Sequence, residues 1–341
     1  MLALPNIDIV PGTTVGDLDL DRTASRVTGV VTQARDGVAR QHLAADLVVD
    51  ASGRTSRTPQ WLAQHGFPAP LEERFRVDVC YATRSFARRP GDARGDVAFI
   101  YAASPTIPRA AAIVAQEDDR WIVSLGGYFG ERPPTDLPGF LDYAAGLGTP
   151  DLVEVIRDRE PLDAGATYRF PASLRRRYER LSRSPSRFVV IGDAFCSFDP
   201  VFGQGITTAA SEALLLGACL AAGPERLSHR FHRGASRLVD VPWSTAVGGT
   251  RDLPGNTDPV PLGGRLTNRY LRRYLHSAAS DPELAAAFLR VANLMAAPSS
   301  LMRPDRVARV ARVLHHRHPR TRTGQSWDAE KVSQDWSVPS S

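Results

Sequence analysis

The sequence predicts an α/β protein in three parts. A discontinuous nucleotide-handling layer takes residues 1–70 and 185–225, an antiparallel sheet takes 71–184, and a helical region takes 226–316. Three observations carry this expectation. The apolar strand Phe188-Val-Val-Ile191 ends on Gly192-Asp193, then passes through a Pro200 loop to Gly203-Gln-Gly205 and a helix of small residues. A second apolar run ends on Asp50 and turns at Gly53. Between them lie four strand-like segments with turn chemistry between them, of which Phe75–Thr83 alternates apolar and polar residues cleanly, the period of a half-buried antiparallel strand.

The elements follow in order. Residues 1–50 read as short strands. Arg26–Gln33 is rich in β-branched residues, with Gly37 in the turn after it, and Leu43–Asp50 reads as one strand with a fully apolar end, as a buried parallel strand has. Ala51–Arg57 is a loop. Pro59–His65 is a short helix with proline in its first turn and Gly66 closing it. Phe75–Thr83, Val97–Ala102, Ala110–Ala115 and Arg120–Leu125 are the antiparallel strands, and the acidic turn Glu117–Asp119 joins the last two. A helix starts near Thr135-Asp136, a second covers Leu152–Arg157, and Ala166–Phe170 is strand-like. The helix after Gly205 runs to about Ala222. Residues 226–316 are helical apart from a Gly- and Pro-rich loop at 248–264, with helical periodicity in Leu266–Ala279 and Pro282–Met295. The polar tail 317–341 is expected to be disordered.

At 341 residues the chain can bury a sizeable core. Its hydrophobic content of 43% and charged content of 23% are those of a soluble globular protein. No stretch approaches the roughly 20 apolar residues of a membrane span, so no stable membrane anchor is expected. The first ten residues lack a signal-peptide pattern. Cys80, Cys196 and Cys219 are widely spaced, which argues against a disulfide framework or a zinc site and fits a reducing cytoplasm. The net charge is +5, yet Lys331 is the one lysine among 42 basic residues, and the scattered arginines are matched by 37 acids. Nucleic-acid binding is therefore not expected. His315, His316 and His318 have no partner at ligand spacing, so no metal is expected either. Nucleophile-elbow, Walker and zinc-protease motifs are absent.

The chemistry lies in the two strand ends. A carboxylate at 193 can accept hydrogen bonds from sugar or ribitol hydroxyls. The bare N–H groups at the start of the next helix suit an electron-rich or anionic group. Gly203 and Gly205 let backbone approach a flat ring. Asp50-Ala-Ser-Gly53-Arg54 sits at the carboxyl edge of a sheet, where open α/β folds bind nucleotides. Cys196 reads as a small packing residue more than as a reactive thiol. Tyr168, Arg169 and Arg175–Arg177 either approach the ligand or are solvated.

These motifs resemble those of group A flavoprotein monooxygenases, the class related to p-hydroxybenzoate hydroxylase, and are similar to those of actinobacterial polyether and squalene-type epoxidases. The likeness covers roughly residues 1–315 and includes Asp46–Arg57, Trp121–Gly130, Tyr168–Pro171 and Gly192-Asp193. The resemblance implies an incomplete FAD-binding Rossmann-like three-layer domain, an antiparallel-sheet substrate domain and a C-terminal helical region. It implies that Gly192 and Asp193 hold the ribitol of FAD, that Pro200, Gly203, Gln204, Gly205 and Ile206 face the isoalloxazine, and that Asp50, Gly53 and Arg54 lie beside the cofactor. It implies NAD(P)H as co-substrate, and O2 used to hydroxylate or epoxidise a small or lipophilic organic molecule; no catalytic side chain is assigned. The alternatives are a flavin reductase like geranylgeranyl reductases and a cofactor-free relic that keeps a ligand pocket.

Such proteins hold the FAD pyrophosphate with a Gly-x-Gly-x-x-Gly turn after their first strand, and this sequence carries none. The expectation is an N-terminally truncated chain that lacks about a hundred residues, a βαβ unit with its extensions. The natural protein is then longer, the gene is a relic, or the chain works by itself or with a partner supplying that turn. Leu47–Val49 is expected to lie at an uncovered apolar edge.

Overall fold

The computed structural model describes residues 4–34, 40–148, 150–258 and 262–316. The expected turn at Gly37, the tail 317–341 and the side chains of His315, His316 and His318 lie outside the described residues. The chain runs through β1 (Thr13–Leu20), β2 (Val27–Ala34), β3 (Arg40–Ala44), β4 (Val48–Asp50), α1 (Thr58–Gln64), β5 (Glu72–Ala87), β6 (Ala98–Tyr101), β7 (Arg109–Gln116) and β8 (Arg120–Tyr128). There follow α2 (Leu137–Ala145), α3 (Pro150–Ile156), β9 (Ala166–Arg176), β10 (Phe188–Val190), β11 (Cys196–Ser197), α4 (Gly205–Ala221), α5 (Leu227–Arg251), α6 (Leu262–Ala278), α7 (Pro282–Ala292) and α8 (Pro304–His316).

The first three strands form an antiparallel meander, and β4 pairs in parallel with β10. The run Leu43–Asp50, expected as one strand, is two. Leu43 pairs with Val30 of β2, whereas Val48 pairs with Phe188 of β10, so the chain changes sheets across Ala45–Leu47. Only Asp50 of β4 is buried, and Val49 keeps 38% of its surface, so β4 is not the fully buried strand its composition suggests. Phe188, Val189 and Val190 of β10 are fully buried and share one core with Trp61 and Leu62 of α1 and Phe231, Ala235 and Val239 of α5. Each such large apolar side chain contributes about 1.5–3 kcal/mol by leaving water.

The second sheet has strand order β11-β9-β5-β8-β7-β6 and is antiparallel throughout. One face carries Ala82, Phe86, Trp121 and Val123, which bury against Phe140 of α2 and Leu152 of α3. Asp136 caps α2 by accepting from the Gly139 amide at 2.9 Å. The other face carries Tyr81, Thr83, Ser124 and Tyr168 and is half open. Asp118 and Asp119, in the three-residue connection 117–119 between β7 and β8, have φ of 58° and 50°, the left-handed conformation of tight hairpin turns.

Two boundaries differ from expectation. Strand β9 continues past Phe170 to Arg176, since Arg175 and Arg176 are buried braces and the half-buried Arg177 just beyond it is also paired, so that none is part of a solvated loop. Arg175 bonds Asp240 at 2.7 Å and Ser236 of α5, Arg176 bonds Glu72 at 3.0 Å, and Arg177 bonds Glu73 at 2.7 Å. Helix α5 runs through the glycines 248 and 249 to Arg251, which shortens the expected loop 248–264. Its end is pinned by Thr250, which bonds the buried Asp199.

Candidate functional site

The site is built where β10 ends. The Ile191 amide bonds the Asp50 carbonyl at 2.9 Å, which carries the parallel register one step past the strands. Gly192 then turns with φ of +61°, which a side chain would resist. Its amide donates to Glu212 Oε2 of α4 at 2.6 Å, so helix and turn are locked together. Glu212 is fully buried, and its other oxygen has no partner. Burial, with the Asp193 charge adding to it, pushes its carboxyl up to about 7.

Asp193 follows. Its carboxylate receives no hydrogen bond from any described residue, yet enough protein surrounds it that burial raises its pKa, with Arg54 opposing. The residue itself is exposed to solvent. A Cβ on Gly205 would lie 3.9 Å from Asp193 Oδ1, so this carboxylate stands at the start of α4. Gln204 does not cap that helix with its side chain, and no acid occupies the first turn, so its first amides are left open. Gly203 has φ of +65°, and open space lies where its Cβ would be; the same is true at Gly53. Pro200 is exposed, and Ile206 keeps 87% of its surface.

The loop between Asp193 and Gly203 is held from beneath by Asp199, which is fully buried. It accepts from the hydroxyls of Tyr128 at 2.8 Å, Thr250 at 3.0 Å and Tyr81 at 3.5 Å, and from the Val201 amide at 3.1 Å. Burial raises its pKa against those bonds. Burial and the Asp199 charge push both tyrosines up, so they stay protonated donors. One carboxylate thus joins the loop to β5, β8 and α5, and it turns the half-open sheet face toward the loop.

Of the expected site residues, Gly192 and Gly205 flank the Asp193 carboxylate and Arg54 is near enough to lower its pKa, while Gly53 and Gly203 have open space where a Cβ would stand and Pro200 and Ile206 are exposed. Asp50 does not offer a free acceptor. Its oxygens take the Ser52 amide at 2.8 Å and the hydroxyls of Ser52, Ser56 and Thr58 at 2.5 Å. Burial alone would raise its carboxyl, but these bonds hold it below the usual range, so Asp50 organises its own loop. The Gln204 side chain turns away and donates to the Ala292 carbonyl at 3.1 Å. Arg54 reaches the Ala172 carbonyl and Ser197 Oγ, and its guanidinium lies 4.7 Å from the Phe170 ring centre. Cys196 is buried, and burial pushes its thiol well up, as for a packing residue.

Sequence reasoning missed Asp199, Glu212 and His232. His232 is fully buried, and its Nε2 accepts from the Val190 amide at 3.1 Å. Burial pushes its pKa down to about 3, so the ring stays neutral as an acceptor. Among the described residues no group of side chains could hold a metal ion, and no helix is long and apolar enough to cross a membrane.

The chemistry of these groups fits a flavin: an orphan carboxylate could accept from ribitol hydroxyls, an uncapped helix start could face an electron-rich ring edge, and two glycines would leave room for a plane.

No protein-family model matches the chain. Protein Rv3254 of Mycobacterium tuberculosis is 30% identical over 325 residues, which cover 93% of this chain and 68% of that protein. Among solved structures, a flavoprotein/dehydrogenase of Cytophaga hutchinsonii superposes with a TM-score of 0.59 at 15% identity, covering 89% of this chain and 69% of that one. The flavin-dependent brominase Bmp2 superposes with a TM-score of 0.51 at 17% identity, covering 82% of this chain. This chain spans 64% of the brominase's length. The fold is that of flavin-dependent enzymes.

Proposed function

The chain belongs to the family of the Mycobacterium tuberculosis protein Rv3254, and we propose that it carries the ring- and ribitol-binding half of an FAD-dependent oxidoreductase, an NAD(P)H-dependent monooxygenase that hydroxylates or epoxidises a small or lipophilic organic substrate. The observation that carries this reading is the unpartnered Asp193 carboxylate beside the uncapped start of α4.

Asp193 would accept from ribitol hydroxyls. The open amides of Gly205, Ile206 and Thr207 would favour negative charge on the ring edge, aided by the helix dipole. Gly203 would let backbone lie against the ring plane. The half-open sheet face with Tyr81, Thr83, Ser124 and Tyr168 would wall the substrate space and exclude water, held at its distance by Asp199. When bound, FAD supplies the redox chemistry, taking hydride from NAD(P)H and passing electrons to O2. A pyrophosphate-binding turn, from a further segment or a partner, would lie at the uncovered edge of β4. The setting is a reducing cytoplasm, which suits three free cysteines.

The test is oxygen uptake by flavin-loaded protein given NADPH and a panel of arenes and alkenes. The proposal expects uptake coupled to a product one oxygen atom heavier. Reduction of an alkene without oxygen uptake would support the reductase reading instead, and a protein that takes up no flavin would support the relic.

A further inference from the structure

A quarter turn around α4 from the face that meets Gly192, at about 100° per residue, a cavity opens. It has a volume of about 340 Å³ and three walls: Thr208 and Ser211 of α4, Arg237, Leu238 and Val241 of α5, and the turn 294–297 after α7. That volume lies within the range of ligand sites, roughly 300–1,000 Å³. We infer that this groove is a binding site for a small amphipathic carboxylate, its apolar body between Leu238, Val241 and the turn, and its head on Arg237. The inference is independent of the flavin shelf.

The chemistry of the walls selects the ligand. Apart from Arg237 the lining is apolar or hydroxylic, and it holds no acid. The two hydroxyl protons are already committed, Thr208 to the Gln204 carbonyl at 2.8 Å and Ser211 to the Thr207 carbonyl at 2.9 Å. Arg237 is exposed and has no hydrogen-bond or ion-pair partner among the described residues, whereas Arg175 of β9 pairs with Asp240, and Arg230, two turns earlier on the same helix, bonds the Cys219 and Gly223 carbonyls. The uncommitted side-chain donor of the groove is therefore a guanidinium, whose planar fork matches a carboxylate.

The third wall is a separate observation. Leu294 adopts φ of +59°, a left-handed conformation that disfavours a branched residue and that helix ends usually give to glycine. The turn is held there because the Met295 and Ala296 amides both bond the Arg290 carbonyl, at 2.8 and 3.2 Å. The strain places a leucine and an exposed, adaptable methionine on the groove where glycine would leave it bare.

The experiment is calorimetric titration of the full chain with straight-chain carboxylates from hexanoate to dodecanoate, and with the matching alcohols. Saturable one-site binding is expected. Affinity rises about fourfold per added methylene until the groove is full, and each alcohol binds at least fivefold more weakly than its acid. Arg237→Ala lowers the acid to the affinity of the alcohol, and Leu238→Trp, which fills the groove, removes both. Circular dichroism and the melting midpoint report whether each variant is folded; if Leu238→Trp does not fold, the Arg237→Ala comparison decides. No saturable binding, acid binding unaffected by Arg237→Ala, or full binding by a folded Leu238→Trp would each overturn the assignment.

Discussion

Replacing Glu212 by glutamine separates a buried charge from the shape that carries it. Folding moves this carboxyl from an ordinary 4.5 to about 7. Below about 4.5 the group is protonated in both states and costs nothing. Between those values the unfolded chain releases the proton while the folded one keeps it, so stability falls as pH rises through the window. Above 7 the cost is complete. At about 1.4 kcal/mol for each tenfold change in proton affinity, it amounts to about 3 kcal/mol. Glutamine keeps the acceptor for the Gly192 amide, bonded at 2.6 Å by Glu212, and cannot ionise. Urea unfolding of both proteins from pH 4.5 to 9, without added flavin, reads the difference at each pH and cancels all other titrations. The variant is expected to match the wild type near pH 4.5 and to exceed it by about 3 kcal/mol above pH 8. A gap that does not change with pH, or a variant less stable at every pH, would refute the reasoning.

Two further outcomes follow from buried polar groups. His232 titrates in the opposite sense: its folded value of about 3 lies below the usual 6.5, so stability is lost as pH falls below 6.5, by about 1.4 kcal/mol per pH unit until pH 3. His232→Phe should flatten that acid limb and, by leaving the Val190 amide unpaired, cost about 1–3 kcal/mol at pH 7.5; a limb as steep as the wild type's counts against it. The Arg175–Asp240 pair is lopsided, with the arginine buried and the Asp240 side chain 59% exposed. Asp240→Ala, which strands a buried cation, should cost about 2–3 kcal/mol, while Arg175→Met leaves a solvated acid and should cost less; urea midpoints in the reverse order would contradict this.

The strands and the two glycine turns were legible because their signals are local. Alternation in Phe75–Thr83 and the apolar runs up to Leu125, with turns between them, mark the antiparallel sheet, and the Gly192-Asp193 and Gly203-Gln-Gly205 pairs mark turns that the backbone makes at φ of +61° and +65°. The loop that engages Asp50 was also readable in principle, since Ser52, Ser56 and Thr58 lie two, six and eight residues on. The break between β3 and β4 left no trace, because the apolar run 43–50 serves two sheets whose strands are far apart in sequence. Asp199 and His232 were hidden for the same reason: their partners lie 118, 71, 51 and 42 residues away. For Arg175–Arg177 the sequence left open a ligand contact or a solvated run, because three consecutive arginines name no partner, and only the fold supplies Glu72, Glu73 and Asp240 to pair with them.

Riboflavin carries the ring and the ribitol without a pyrophosphate, and lumiflavin carries the ring alone. Titrating each into the wild type and Asp193→Ala, by quenching of flavin fluorescence, isolates the contact on which the functional proposal stands. Loss of one charge-assisted acceptor should weaken riboflavin at least tenfold, about 1.5–3 kcal/mol, and leave lumiflavin unchanged. Equal affinities of the two proteins for riboflavin, or no binding of either flavin by the wild type, would contradict a flavin shelf at residue 193.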